Sequence, residues 1–283
     1  MHSVATDTPR RMLQQHGLRP KHSWGQNFLD DEAVLADIVQ AARLGSDSVV
    51  VELGAGLGHL TRALLDTGAR VVAVERDPDM LRVLQDLKDE RLTVVAANAA
   101  RLELAPVAGA RPLTLVGNLP YHLTSSILFQ TLEQQADLVR CVFTVQKEVA
   151  ERVAAGEGER SGGILTVLLG VWFDASIVRT VPAAAFHPPP KVDSAVLLLE
   201  HRSTPRAEVA DEPFFRTVVK AAFSHRRKTL LNSLRSDREL GDADHVREAL
   251  AAAGIDPTRR AETLDVAEFA RLAGALRQSD RHG

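Results

Sequence analysis

Short β-branched runs, separated by stretches of helical spacing, constrain this chain more than any other feature. "SVVVELG" (48–54), "RVVAVERD" (70–77), "LTVVAAN" (92–98) and "LTLVGN" (113–118) each read as a strand, and "LVRCVFTVQ" (138–146) reads as a fifth. Between them, "GHLTRALLDTGA" (58–69) and "PDMLRVLQDLK" (78–88) carry apolar residues at helical spacing, with Pro78 suited to a first helical turn. Residues 122–135 and "KEVAERVAA" (147–155) read as helices too. Alternation at this interval means an α/β fold with a largely parallel central sheet.

The flanks complete the organisation. Residues 8–16 and 30–44 read as helices, an N-terminal extension over 1–45. "GILTVLLGVWF" (163–173) reads as helical, "SIVRTV" as extended, and "AFHPPPKVDSAVLLLEHR" (185–202) as a Pro-rich loop before a last strand. The polar stretch "HRSTPRAEVADEP" (201–213) marks a boundary, and beyond it only helical patterns occur. The expected domains are 1–205, α/β, and 206–283, small and all-α.

Composition excludes several classes. No apolar run among the 283 residues approaches the roughly 20 needed to span a bilayer. The start, "MHSVATDTPRRMLQQHG", lacks the apolar stretch of a secretory signal. A single cysteine, Cys141, leaves no disulfide framework and no Cys-rich zinc site, and a reducing cytoplasm fits best. The net charge of −3 does not announce a nucleic-acid partner, but distribution decides binding. "LRPKH" (18–22) and the acid-free "SHRRKTLLNSLR" (224–235) concentrate base, although such runs are also common on solvated helix faces.

"VELGAGLGHLT" (51–61) follows a strand and opens a helix. Gly54, Gly56 and Gly58 let the backbone turn tightly and approach a ligand. The spacing G-x-G-x-G is not the dinucleotide fingerprint, and no Lys-Ser/Thr pair makes it a phosphate-cradling loop. Glu52 precedes the first glycine, and Glu75 ends the next strand, where a carboxylate can accept from two ribose hydroxyls. A plain strand–helix turn is the bland alternative. The pair "ELGAGLG" and "VERD" suits a nucleoside without pyrophosphate, and resembles the class I methyltransferases that use S-adenosylmethionine (SAM). That resemblance implies a Rossmann-like sheet whose ligand sits at the carboxyl ends of the strands, where Asn98 ends the third strand.

"GNLPY" ends the fourth strand and holds Tyr121, the only tyrosine of the chain. Asn and Pro are ordinary turn residues. They also suit methylation of an exocyclic amine, whose lone pair is delocalised into the ring. The Asn118 oxygen and a neighbouring carbonyl can accept from its N–H groups as the C–N bond forms. Pro120 fixes φ and so holds the Leu119 carbonyl. Tyr121 offers a face for a base, worth roughly 1–3 kcal/mol.

With "GQNFL" (25–29), "NLPY", "VQKEVAER" (145–152), "FHPPPKVDSAV" (186–196) and "FSHRRKTLLNSL" (223–234) in order, the chain resembles the dimethyladenosine transferases of small-subunit ribosomal RNA, from about residue 13 to 276. The resemblance implies dimethylation at N6 of two adjacent adenosines near the 3′ end of 16S RNA. It implies SAM as cofactor, no metal, a small-ribosomal-subunit partner, no membrane and a monomer. It implies that Asn27, Leu29, Gly54, Gly56, Glu75, Asn98 and Asn118 hold the cofactor. The catalytic segment is then Asn118, Leu119, Pro120 and Tyr121, with Tyr121 stacking on the target base and Phe186 as a second aromatic wall or, alternatively, an anchor of the Pro-rich loop. Arg226, Arg227 and Lys228, with the "RPKHSWGQ" stretch, are expected to meet phosphates.

Two positions depart from the family's pattern. Asn98 stands where Asp is usual, with an oxygen still able to accept from the cofactor's adenine amine, and Ala55 replaces a frequent proline. Three other functions stay open at the level of sequence. They are a large-subunit methyltransferase of the macrolide-resistance type, which typically has Ile where Leu119 stands, an assembly factor acting mainly by binding, and a DNA adenine methyltransferase.

Overall fold

A computed structural model describes residues 7–156, 162–225 and 227–279. Its strands are β1 (Phe28–Leu29), β2 (Val49–Leu53), β3 (Arg70–Glu75), β4 (Leu92–Ala96), β5 (Leu113–Asn118), β6 (Leu138–Gln146), β7 (Phe173–Val181), β8 (Phe186–His187) and β9 (Ser194–His201). Seven of them form one sheet in the order β4-β3-β2-β5-β6-β9-β7. β2, β3, β4, β5 and β6 run parallel, and β9 joins β6 antiparallel. The expected α/β architecture with a largely parallel sheet is the observed one. β1 and β8, each two residues long, pair antiparallel outside it and set "GQNFL" beside "FHPPP".

The β-branched runs of β2, β3 and β5 have both faces covered, whereas β4, at the sheet edge, is partly exposed. Val71, Val72, Ala73 and Val74 of β3 are wholly buried. The helix Glu32–Ala42, capped by Asp31 accepting from Ala33 and Val34 N–H, packs Val34, Leu35 and Ile38 with Val50, Val71, Val116 and Val142. Leu60 and Leu64 of the helix His59–Leu65 join this cluster. Leu84 of the helix Pro78–Gln85 packs with Ala55 and Ala73.

The chain forms two compact units. One comprises Met1–Ala150 and Ala175–His201, the other Glu151–Asp174 and Arg202–Gly283. The second is thus larger than the expected 206–283, because residues 151–174 cluster with the C-terminal helices. The apolar helix Ile164–Gly170 buries Val167, Leu168 and Leu169, and a Cβ at Gly170 would lie 3.1 Å from Val266. The Arg202 N–H donates to the Trp172 carbonyl and the Arg206 N–H to the Val171 carbonyl, both at 2.8 Å. Within this unit the helices Glu212–Phe223 and Val266–Ser279 are joined by stacked Phe223 and Phe269 rings, 5.9 Å apart. A short helix, Leu230–Leu234, lies within the acid-free stretch 224–235.

The sheet order reverses between β2 and β5, so the chain crosses to opposite sides from these two strands and leaves a crevice at their carboxyl ends. Gly117 lets the strands close beside it. A Cβ there would lie 2.6 Å from the Leu53 carbonyl oxygen. Gly117→Ala is expected to cost ~1–3 kcal/mol, seen as a lower urea midpoint at unchanged slope. A midpoint equal to that of the wild type would mean the strands have slack at this point.

Candidate active site

A cleft of about 1020 Å³, its open mouth included, occupies this crevice. It is lined from residues 24–29, the glycine loop, the end of β3, residues 97–99 and the segment 118–121. Asn27, Leu29, Gly54, Gly56, Glu75, Asn98, Asn118, Leu119, Pro120 and Tyr121 therefore share one wall system.

The loop is shaped by donors it gives up to neighbouring strands. Gly54 and Ala55 N–H both donate to the Val74 carbonyl, at 2.9 and 3.2 Å. Gly56 has φ +53°, and a Cβ there would lie 3.1 Å from the Phe28 ring, so the turn needs glycine. Its N–H donates to Glu75 Oε2 at 2.9 Å, while Oε1 accepts from Arg76 and Asp77 N–H at 2.7 and 2.9 Å.

Asp77, wholly buried, extends this network and was not singled out from sequence. Its carboxylate accepts from Lys21 Nζ at 2.6 Å, Gln26 Nε2 at 2.7 Å and Asp79 N–H at 3.0 Å. Lys21 also pairs with Asp79, and these two acids hold its ammonium above the usual lysine range. Lys21, expected at a phosphate, is thus paired with two acids of the protein itself. Trp24 lies beneath the Arg76 guanidinium, 4.3 Å from its ring centroid. The usable signal was "RDPD", an Asp before Pro at a helix start, which here is the N-cap.

Asn118 is oriented by a main-chain group. Its Nδ2 donates to the Asn27 carbonyl at 2.8 Å, leaving Oδ1 as its acceptor. The Leu119 N–H donates to the Thr144 carbonyl at 3.1 Å, and Pro120 holds φ −57°. The Tyr121 hydroxyl lies 2.8 Å from Ser194 Oγ. Asn98 caps the turn that follows it, its Oδ1 accepting from Ala100 N–H at 3.1 Å.

Phe186 requires a correction. It does not line the cleft but is buried among Leu29, Val34 and Leu35, in register with Leu29 across the β1–β8 pair. The ring anchors the Pro-rich segment, as an apolar side chain in a two-residue strand must if that strand is to hold. Arg227 and Lys228 are exposed in the second unit, and Arg226 lies outside the described residues.

Among known proteins, the family model of ribosomal RNA adenine dimethylase matches residues 17–278. The chain is 58% identical over 270 residues to the ribosomal RNA small subunit methyltransferase A of Myxococcus xanthus (strain DK1622), covering 95% of each protein. It is 53% identical over 279 residues to the protein of the same name from Anaeromyxobacter sp. (strain K), covering 95% of this chain and 98% of that one. Of solved structures, the 23S rRNA methyltransferase ErmE superposes with a TM-score of 0.69 at 30% identity, over 89% of this chain and all of that one (100%). A dimethyladenosine transferase from Plasmodium falciparum reaches 0.75 at 22% identity, over 89% and 98%, and shares the fold.

Glu52 closes the floor of the cleft and is almost wholly buried, bonded by the Thr61 hydroxyl at 2.6 Å. Burial pushes its carboxyl up to about 8, the Thr61 hydroxyl pulls it back, and the Glu75 charge adds to the rise. The folded protein therefore keeps this proton to higher pH than the unfolded chain does. The resulting penalty is absent below ~4.3, the unfolded value, and grows as the pH rises toward that of the folded carboxyl. Glu52→Gln, which removes the charge, should gain stability over the wild type through this window, by up to ~4 kcal/mol at its upper end. Urea unfolding at several pH values checks this, and a difference independent of pH would show that Glu52 is ionised in the fold.

Proposed function

The chain belongs to the ribosomal RNA adenine dimethylase family, and on that premise we propose that it transfers methyl groups from SAM to N6 of two adjacent adenosines near the 3′ end of 16S RNA in the small ribosomal subunit. The 58% identical relative is named for the small subunit, whereas the likeness to a large-subunit enzyme is 30%. The observation that carries the reading is the Asn118 amide. Its donor end is taken by the Asn27 carbonyl, so its acceptor remains for the target amine.

The cleft suits SAM on its own chemistry. Its wall carries the carboxylate of Glu75 but no lysine, and its Arg76 lies over Trp24. That is a place for a cationic nucleoside rather than a pyrophosphate. Asn27, Leu29, Gly54 and Gly56 bring the backbone against the ligand. Glu75 spends three of its roughly four accepting positions on N–H groups and keeps one for a ribose hydroxyl. Asn98 Oδ1 accepts from Ala100 and keeps a second lone pair for the adenine amine, while its Nδ2 can donate to a ring nitrogen of the adenine.

SAM, when bound, supplies an electrophilic methyl group. Asn118 Oδ1 and the Leu119 carbonyl accept from the target N–H groups, drawing the nitrogen's lone pair out of the ring and toward the methyl group. Tyr121 stacks on the base. As the C–N bond forms, the methyl group's bond to sulfur would break with its electron pair left on sulfur; the nitrogen would then lose a proton to solvent, and its one remaining N–H would be held by one of the same acceptors for the second transfer. Arg227 and Lys228 meet RNA phosphates. The protein acts as a monomer in the cytoplasm, and among the described residues no helix is long and apolar enough to cross a membrane.

Asn118→Ala should lower methyl transfer to unmethylated small subunits by at least ~100-fold, read with labelled SAM and mapping of the modified adenosines. Label in large-subunit RNA instead, or undiminished label in the variant, would refute the assignment. Replacing Arg227 and Lys228 together with Ala should flatten the salt dependence of RNA binding by about 1.5 in log–log slope. An unchanged slope would remove both residues from the interface.

A further inference from the structure

Tyr121 opens the short turn Tyr121–Leu123, between the end of β5 and the helix Thr124–Glu133. Its ring lines the cleft. A base stacks well only on a ring held at one tilt, and a tyrosine in a turn has two free torsions. The structure supplies a restraint from elsewhere in the chain. The hydroxyl lies 2.8 Å from Oγ of Ser194, seventy-three positions on.

Ser194 is a fixed post. It is wholly buried, and opens β9 in register with Gln146 of β6. Its neighbour Asp193 accepts Lys147 N–H at its carbonyl and Ala183 N–H at Oδ1, both at 3.0 Å. The next five residues, Ala195 to Leu199, are buried and apolar. An alanine would serve the core at 194 as well, whereas a buried hydroxyl needs a partner. Among the described residues the partner of this hydroxyl is Tyr121.

We propose that Ser194 is a positioning residue for the target base: its hydroxyl tethers the Tyr121 hydroxyl and so sets the tilt of the stacking ring. The phenolic oxygen lies on the long axis of the ring, so one bond there fixes where that axis points, while packing sets the rotation about it. The proposal rests on the reading of Tyr121 as the stacking face.

Tyr121 is the only tyrosine, so tyrosinate absorbance reports on this one side chain. Burial holds its ionisation above the usual range, and the Ser194 hydroxyl pulls it back down. Ser194→Ala should therefore move the ionisation midpoint further up. It should also raise KM for unmethylated small subunits roughly 3- to 10-fold, with SAM affinity by calorimetry unchanged. Tyr121→Phe, which keeps the ring and loses the tether, should raise KM equally, and the double variant should be no worse than either single one. An unmoved midpoint, or losses that multiply in the double variant, overturns the tether. If Ser194→Ala does not fold, Tyr121→Phe with wild-type KM overturns it alone. Should the wild type itself fail to methylate small subunits, the assignment of function falls, while the absorbance titration still tests the tether.

Discussion

The rim of the cleft depends on one buried charge. The Asp77 carboxylate is removed from water, which is costly unless every accepting position is used. The ammonium of Lys21, the amide of Gln26 and the N–H of Asp79 satisfy it. Its own N–H goes to Glu75, and Glu75 in turn takes the N–H of Gly56. One line of hydrogen bonds thus runs from the N-terminal segment through the end of β3 into the glycine loop. Removing Lys21 would leave the buried carboxylate with its two neutral donors but no counter-charge, at a cost of ~3–5 kcal/mol.

Legibility in the sequence follows this division. A parallel strand buried on both faces is a continuous β-branched run, so β2, β3 and β5 are readable within a residue or two of their ends, and the partly exposed edge strand β4 keeps enough of the same pattern to be read as well. The glycine loop and Glu75 are readable because turn chemistry and the end of a strand are local properties. β1 and β8 are not, since two residues carry no periodicity and exist only through each other. Phe186 follows from that pair: once Leu29 lies opposite it, the ring has a core to enter. The helix Leu104–Ala108, with Pro106 inside it, has too few residues to show a period. The carbonyls of Trp172 and Val171 take their N–H partners from Arg202 and Arg206, which local pattern cannot name.

The site's two asparagines make the same point about chemistry. An amide carries an acceptor at one end and donors at the other, and the letter N does not say which end meets the ligand. The backbone decides. Asn118 meets a carbonyl, that of Asn27, which only its NH₂ can bond, so oxygen remains. Asn98 meets an N–H, that of Ala100, which only its oxygen can bond, so NH₂ remains. On the proposed assignment, one residue type offers an acceptor to the target amine and donors to the cofactor's purine. Aspartate would be a different substitution at each place. At 98 it would keep the cap and replace the donors with a second acceptor. At 118 it would set a carboxylate oxygen against the Asn27 carbonyl and lose the bond that orients the reacting side chain. Aspartate at position 98 is therefore compatible with this backbone, and aspartate at 118 is not.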